Sequence, residues 1–273
     1  LWHLGPHRVL CGDARDPADY ARLLGGTTAD IVFTDPPYNV KISGFAAAKG
    51  KHREFPMASG ELSPAEFTTF LTGVFQQLAA HCRDGAVLFI CMDWRHLTEV
   101  LTAGSAAFTT LLNLCVWAKT TAGQGSLYRS GHELVLVYKH GTAPHTNRVE
   151  LGIHGRHRTN VWNYPGGSSF HRSGDPLLTA HPTIKPVALV ADALLDCSRR
   201  GDRVVDPFGG SGSTLIAAER TGRVAALMEL DPGYVDLIVE RYQRTTGREA
   251  RLEGGATFEA VAHERTELSE VPE

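Results

Sequence analysis

Short apolar runs alternate along the chain with longer amphipathic stretches, a pattern typical of strands followed by helices. Residues 31–33 predict a buried parallel strand. Residues 63–82 predict a helix, because Ser63 can act as N-cap, proline follows it, and glutamate stands three positions beyond the cap. The same reasoning predicts further strands at 86–90, 111–117, 133–138, 203–205 and 224–228, and helices at 93–101, 186–198, 213–221 and 232–244.

This alternation implies an α/β fold with a mostly parallel sheet and helices on both faces. Ligands bind such sheets at the carboxyl ends of the strands. Two distinctive loops, at 35–39 and 206–213, each follow a predicted strand and should therefore open onto the same edge. The strands at 111–117 and 133–138 should form an antiparallel hairpin at one side of the sheet.

Periodicity fades in two parts of the chain. Residues 141–182 are rich in Gly, Pro, His, Arg and Asn, and a stretch of that length without regular elements is usually functional. Residues 254–273 are expected to form a flexible tail, although its residues Phe258 and Val261 could dock on the rest of the protein. Residues 1–253 then form a single domain. The chain begins at Leu1, so it is read as a fragment or a processed chain, and a preceding domain stays open.

Composition restricts the class of protein. The 273 residues are 42% hydrophobic and 21% charged, as in soluble globular proteins. No apolar run is long enough for a membrane span, and no signal-peptide pattern opens the chain. The five cysteines are scattered among apolar neighbours, which favours reduced core residues in a cytoplasmic protein without a metal site.

The net charge of −3 argues weakly against a nucleic-acid partner, but basic residues are clustered. One group follows the first loop: Lys41, Lys49, Lys51, His52 and Arg53. A second group has only Glu150 to offset it within its own stretch: Arg148, His154, Arg156, His157, Arg158, His171 and Arg172. Because the acidic residues gather near the C-terminus, a basic face is permitted.

The loop from Asp206 to Thr214 has the features of a cofactor site. Its glycines allow close backbone approach, and the amides at the start of the following helix can bind an anion. It does not match a Walker A loop, because Ser213 follows Gly212, or a dinucleotide fingerprint, because Leu215 replaces the third small residue. Glu229, at the tip of the neighbouring strand, could accept hydrogen bonds from a ribose. Asp206 would then face an ammonium group and the loop amides a carboxylate.

The tetrapeptide Asp35-Pro36-Pro37-Tyr38 predicts chemistry on an exocyclic amine. Such amines are poor nucleophiles because the ring withdraws their lone pair. The Asp35 carboxylate and the Pro36 carbonyl could accept the two amino hydrogens, and the prolines keep the loop stiff. The ring of Tyr38 could stack on an extruded base.

Together these motifs make the chain resemble the β-group of DNA amino-methyltransferases. Residues 35–38 match that family's catalytic motif, 206–213 its cofactor motif, and 181–186 (HPTIKP) the segment just before the cofactor loop. Cys11-Gly12-Asp13 is similar to the strand end where an aspartate meets the cofactor adenine. The resemblance covers about residues 7–245.

The resemblance implies a seven-stranded, Rossmann-like sheet with one antiparallel strand, S-adenosylmethionine as cofactor and direct methyl transfer to double-stranded DNA with base flipping. The implied catalytic residues are Asp35, Pro36, Pro37 and Tyr38. The implied cofactor-binding residues are Asp13, Lys185, Asp206, Phe208, Gly209, Gly210, Ser211, Gly212, Ser213, Thr214 and Glu229. It also assigns residues 141–182 to target recognition. A homodimer is implied by kinship alone, and a cognate restriction nuclease stays open.

The choice of target base is the finer question. Aspartate at the first catalytic position is more frequent in adenine-N6 enzymes than in cytosine-N4 enzymes, so we expect adenine. Cytosine-N4 methylation is the alternative, since both amines need the same electronic help. A non-enzymatic DNA- or cofactor-binding module predicts a damaged catalytic motif, which the chain does not show. Methylation of RNA or protein glutamine is opposed by the order of the motifs and by residues 181–186.

Overall fold

A computed structural model describes residues 1–40, 58–123, 127–153, 157–166 and 184–269, with side chains up to residue 265. Its ten strands form one sheet. They are β1 Trp2–Leu4, β2 His7–Cys11, β3 Ala29–Thr34, β4 Cys82–Met92, β5 Thr110–Lys119, β6 His132–Lys139, β7 Val161–Tyr164, β8 Arg203–Asp206, β9 Val224–Glu229 and β10 Arg251–Leu252. Their order across the sheet is β10-β1-β2-β9-β8-β3-β4-β6-β5-β7.

The predicted fold class is confirmed. The seven strands from β2 to β5 in this order are mutually parallel except β6, which is antiparallel to both β4 and β5. The described sheet is wider than seven strands, because β1 and β10 extend one side and β7 extends the other. The hairpin of β5 and β6 is confirmed, but β7 rather than β5 lies at the margin.

Helices cover both faces of the sheet. They are α1 Pro17–Leu24, α2 Pro64–His81, α3 Leu97–Ala107, α4 Val187–Cys197, α5 Ser213–Thr221, α6 Pro232–Thr246 and α7 Phe258–Ser269. One buried cluster joins the sheet to α1, α2 and α3, and a second joins it to α4, α5 and α6. Successive strand residues point to opposite faces, so Val32 enters the first cluster while Ile31 and Phe33 enter the second.

Local chemistry explains where α2 and α3 begin. The Ser63 side chain accepts from the Glu66 amide while the Glu66 carboxylate accepts from the Ser63 amide, so the capping box is formed as predicted. The helix predicted at 93–101 begins later. Asp93 caps a single 3-10 turn at Trp94–His96, and α3 follows it.

Within the tail expected at 254–273, residues 258–269 form α7. Phe258 packs edge-on against Trp2, with ring centroids 5.6 Å apart, and Val261 packs on the same buried cluster. Burying these apolar groups stabilises the helix against the sheet. The remaining tail residues, 270–273, lie outside the described ranges.

The segment 141–182 is partly regular, because it contains β7. The guanidinium of Arg158 lies 4.8 Å from the Trp162 ring centroid and pairs with Asp196 and, at 3.9 Å, with Asp192 on α4. Arg158 of the second basic group therefore has acidic partners from a distant helix, which its own stretch did not indicate. His154, Arg156, His171 and Arg172, like the whole first basic group, lie outside the described residues.

All five cysteines are free thiols. Cys82, Cys91 and Cys115 are buried as expected and Cys197 is partly buried, whereas Cys11 is exposed at the end of β2. Among the helices within the described ranges, none combines the length and the apolar character needed to cross a membrane.

Candidate active site at the carboxyl edge of the sheet

Two neighbouring parallel strands bring the predicted loops together. β3 pairs with β8 through Ile31 with Val204 and Val32 with Val205. At their carboxyl ends the Thr34 hydroxyl donates a hydrogen bond of 2.9 Å to Asp206 Oδ1. Asp35 follows Thr34 directly, so the tetrapeptide Asp35–Tyr38 begins one residue from a contact with the Gly-rich loop. The predicted convergence of both loops on one edge is confirmed.

Asp206 is a buried carboxylate whose donors are all neutral within the described chain. Oδ1 accepts from Thr34 and, at 3.1 Å, from the Phe208 amide, while Oδ2 accepts from the Thr214 hydroxyl at 2.6 Å. Burial raises the pKa of Asp206 to about 7, although these three hydrogen bonds oppose the rise. A cation placed here would stabilise the ionised form.

Glycine is required at two positions of the loop. A Cβ on Gly209 would lie 2.9 Å from Ile238 Cδ1 and 3.3 Å from the Met228 carbonyl oxygen. Gly212 has φ +76° and immediately precedes α5. The backbone thus runs against α6 and leaves the first amides of α5 at the sheet edge, as an anion site needs.

Glu229 holds the loop from the adjacent strand β9. Its Oε2 accepts from the Gly210 amide at 2.8 Å, and its Oε1 accepts from the Asp231 amide at 3.0 Å. Burial raises the pKa of Glu229, and these amides counteract it. A ribose contact stays a prediction for this residue. In the structure Glu229 also fixes the glycine turn, through its hydrogen bond with the Gly210 amide.

Arg241 holds the same loop from α6, and the sequence pattern did not single it out. Its Nη1 donates to the Ser211 carbonyl at 2.5 Å and lies 3.3 Å from the hydroxyls of Ser211 and Ser213. An arginine inside an amphipathic helix carries no local signal of this role.

The turn at the end of β2 lies beside Glu229, because the Gly12 amide donates to the Glu229 carbonyl at 3.0 Å. Asp13 in this turn pairs with Arg15 at 2.6 Å, and the hydrogen bonds from Arg15 lower the pKa of Asp13. The ring of Phe208 packs near Phe70, with centroids 6.2 Å apart. Asp13 therefore lies near the loop that contains Phe208, and the contact of either residue with a cofactor stays a prediction.

The tetrapeptide Asp35–Tyr38 belongs to a network of charged groups in which Lys185 is buried and the others are partly buried. Asp35 Oδ2 lies 2.6 Å from Lys185 Nζ, and Oδ1 accepts from the Tyr38 hydroxyl at 2.6 Å. Lys185 also pairs with Glu133 Oε2 at 2.9 Å, and Lys119 Nζ lies 2.5 Å from Glu133 Oε1. Two ammonium groups thus balance two carboxylates.

The protonation of this network follows from its geometry. Burial raises the pKa of Asp35, and Lys185 opposes that rise. Burial would also raise the pKa of Glu133, but its two lysines hold it at about 2. Although burial lowers the pKa of Lys185, the two carboxylates outweigh it and the pKa is raised. Lys185 is therefore charged.

Lys185 was predicted among the cofactor-binding residues. The structure places its ammonium on Asp35, and its contact with a cofactor stays a prediction. Residues 181–183 of the same motif lie outside the described chain. Glu133 and Lys119 were missed. β5 ends at Lys119 and β6 starts beside Glu133, so their opposite directions bring both charges to the active edge. The sequence does carry one signal that could have identified them. One charged residue lies near the end of the first strand of the predicted hairpin, and another lies near the start of the second strand.

Comparison with known proteins agrees with this arrangement. Residues 29–240 match the model of the DNA methylase family N6_N4_Mtase. The Type II methyltransferase M2.MboI of Moraxella bovis is 23% identical over 240 residues, which are 84% of this chain and 85% of that protein.

Two solved structures share the fold. The M1.HpyAVI–SAM complex superposes with a TM-score of 0.64 at 17% identity, covering 86% of this chain and 98% of that one. The PvuII DNA methyltransferase, described as cytosine-N4-specific, has a TM-score of 0.67 at 15% identity, covering 96% and 94%.

Proposed function

Because the chain belongs to the DNA methylase family of N6/N4 methyltransferases, we propose that it transfers a methyl group from S-adenosylmethionine to the N6 amine of adenine in double-stranded DNA. The observation that carries the proposal is the contact between Thr34 and Asp206. It joins an amine-binding tetrapeptide to a cofactor-type loop at one edge of the sheet.

The residues of the loop fit this cofactor. Asp206 is a buried acid with three neutral donors and a pKa of about 7, which an ammonium group would complete. The glycine turn leads directly into α5, whose first amides could bind a carboxylate, and Glu229 stands at the adjacent strand tip. When bound, the cofactor supplies an electrophilic methyl group. We assign its ammonium to Asp206 and its ribose to Glu229.

The tetrapeptide would prepare the nucleophile. Asp35 Oδ1 and the Pro36 carbonyl each accept one amino hydrogen, which returns the lone pair to the nitrogen. Pro36 and Pro37 fix their own φ angles, so little backbone entropy is lost when the base arrives. Tyr38 is partly buried, and its ring would stack on the extruded base, a contact worth roughly 1–3 kcal/mol. The proton leaves the nitrogen after transfer.

Residues 141–182 are proposed to contribute to recognition of the target sequence. In their described part, β7 extends the sheet beside β5 and is held to α4 by Arg158. We take residues 1–253 as the catalytic domain and keep the homodimer implied by kinship, which sedimentation at several protein concentrations tests.

The decisive experiment identifies the methylated nucleoside. The protein is incubated with methyl-labelled S-adenosylmethionine and unmethylated DNA of mixed sequence, the DNA is digested to nucleosides, and the labelled product is identified by mass spectrometry. N6-methyladenine is the expected product. N4-methylcytosine would overturn the adenine assignment, and label in RNA or protein alone would overturn the DNA assignment.

Two variants separate catalysis from folding. Asp35→Ala should abolish transfer but leave cofactor affinity within about threefold, because Asp35 makes its contacts with Tyr38 and Lys185 rather than with the loop. Asp236→Ala is the matched control, since Asp236 pairs with Arg265 on the surface and should leave transfer unchanged. Loss of cofactor binding in Asp35→Ala would contradict the separate roles of the two loops.

A further inference from the structure

The Tyr38 hydroxyl lies between two carboxylates. Its oxygen is 2.6 Å from Asp35 Oδ1 and 3.0 Å from Glu133 Oε2. Lys185 Nζ lies 3.0 Å from the same oxygen and can only donate. A phenol has one hydrogen, so Tyr38 donates to Asp35 or to Glu133, but never to both at once.

The direction of that hydrogen decides how well Asp35 can serve an incoming amine. Oδ2 of Asp35 already faces the Lys185 ammonium at 2.6 Å. Oδ1 is the oxygen left for the substrate, and a short hydrogen bond from Tyr38 would weaken it as an acceptor. A hydrogen bond to a charged acceptor is stronger than one between neutral groups, so Tyr38 competes effectively with the incoming amine for Oδ1.

Glu133 is a second acceptor for the Tyr38 hydroxyl hydrogen, within reach without movement of any heavy atom. Its carboxylate is largely buried and faces Lys185 at 2.9 Å and Lys119 at 2.5 Å. The two lysines hold its pKa at about 2, so it is a charged acceptor near neutral pH. Rotation about the Tyr38 Cζ–Oη bond alone moves the hydrogen bond from Asp35 to Glu133.

We propose that Glu133 is a positioning residue of the methyl-transfer site, which takes up the Tyr38 hydroxyl hydrogen when the target amine arrives and so frees Asp35 Oδ1 to accept an amino hydrogen. This role rests on the proposed function. Lys185 stays on Oδ2 throughout and opposes the rise that burial causes in the pKa of Asp35. No covalent bond forms or breaks in this step.

The test is a double-variant cycle on Glu133 and Tyr38. The initial rate of methyl transfer to unmethylated DNA gives kcat and KM for wild type, Glu133→Gln, Tyr38→Phe and the double variant, and calorimetry gives the dissociation constant of S-adenosylmethionine. Glu133→Gln replaces a charged acceptor by a neutral one, so Tyr38 should remain on Asp35. We expect kcat to fall about tenfold to hundredfold, with cofactor affinity changed by less than about twofold.

The double variant distinguishes positioning from a structural role. Without the Tyr38 hydroxyl nothing competes for Oδ1, so adding Glu133→Gln to Tyr38→Phe should cost less than about twofold in kcat. An equal cost in both backgrounds would overturn the proposal, and so would a Glu133→Gln variant with the kcat of wild type. A wild-type protein that methylates no DNA would instead overturn the proposed function.

Glu133→Asp keeps the test valid if the glutamine variant folds poorly. The shorter side chain preserves the negative charge opposite both lysines but withdraws the carboxylate from Tyr38. The proposal predicts a similar loss of kcat, again suppressed by Tyr38→Phe, whereas wild-type kcat would show that only the charge matters. Glu219→Gln is the matched control. The Glu219 carboxylate likewise contacts two basic side chains, those of His7 and Arg248, but at the opposite edge of the sheet. Its replacement by glutamine should therefore leave kcat unchanged.

Discussion

The affinity for S-adenosylmethionine should decrease as the pH falls below 7. Asp206 has a pKa of about 7 in the unliganded protein, because burial outweighs its hydrogen bonds from Thr214, Thr34 and Phe208. The ammonium group assigned to this carboxylate would lower its pKa. Binding therefore requires the ionised form and releases a proton wherever Asp206 starts out protonated.

The size of the effect follows from this pKa. At about pH 8 roughly nine-tenths of the molecules carry an ionised Asp206, and at about pH 6 roughly one-tenth do. Each pH unit well below 7 should weaken binding about tenfold, which corresponds to about 1.4 kcal/mol. From about pH 8 to about pH 5 the expected loss is about a hundredfold.

Calorimetric titration in buffers of different ionisation enthalpy measures both quantities, the affinity and the number of protons released. We expect about 0.9 proton released per binding event at about pH 6 and about 0.1 at about pH 8. Asp206→Asn should bind more weakly at pH 8 and lose most of this pH dependence. The pKa values of Glu229 and Asp35 are also raised by burial, so this variant identifies the responsible group. A flat wild-type profile, or an equal slope in Asp206→Asn, would refute the reasoning.

Four further outcomes are expected. Because the folded-state pKa of Asp206 exceeds its unfolded value, its ionisation costs stability as pH rises towards 7. Unliganded Asp206→Asn should therefore melt above wild type at pH 8, with a smaller difference at pH 5, and an equal difference at both would contradict the pKa. Arg241→Ala should weaken cofactor binding about tenfold in calorimetry, because its 2.5 Å hydrogen bond fixes the glycine loop, and unchanged affinity would remove that role. Gly212→Ala should destabilise the protein by about 1–3 kcal/mol in urea unfolding, because its φ of +76° disfavours a side chain, and no loss would show that the turn can relax. Phe258→Ala should cost about 1–3 kcal/mol of stability through its contact with Trp2 but leave kcat intact, and a lowered kcat would connect α7 to the site.

The sequence predicted those parts of the fold whose signals are local. The helix α2 carries its own capping box at Ser63 and Glu66, and α5 was predicted with its observed bounds because glycines flank it. Strands β1, β7 and β10 were not predicted. They have two to four residues each, and β7 and β10 pair with strands that are distant in the chain, as Leu252 does with Trp2.

For the candidate site, too, the sequence predicted only what local motifs carry. The two loops are contiguous motifs, and parallel strands must deliver them to one edge. Glu133 and Lys119 join the site only through the reversal of β6, and Arg241 reaches the loop only through the packing of α6. Such contacts depend on tertiary geometry, so a pattern along the chain cannot show which charge faces which loop.

The bond between Thr34 and Asp206 spans 172 positions of the chain. It therefore also bears on how the enzyme is made. A growing polypeptide completes the first loop early but cannot form the central pairing of β3 with β8 until most of the molecule has been synthesised. Long-range parallel pairing is also slow to form. A nascent chain that has not yet reached β8 carries the tetrapeptide without the neighbouring loop. We therefore expect it to be unable to methylate DNA until its fold is nearly complete.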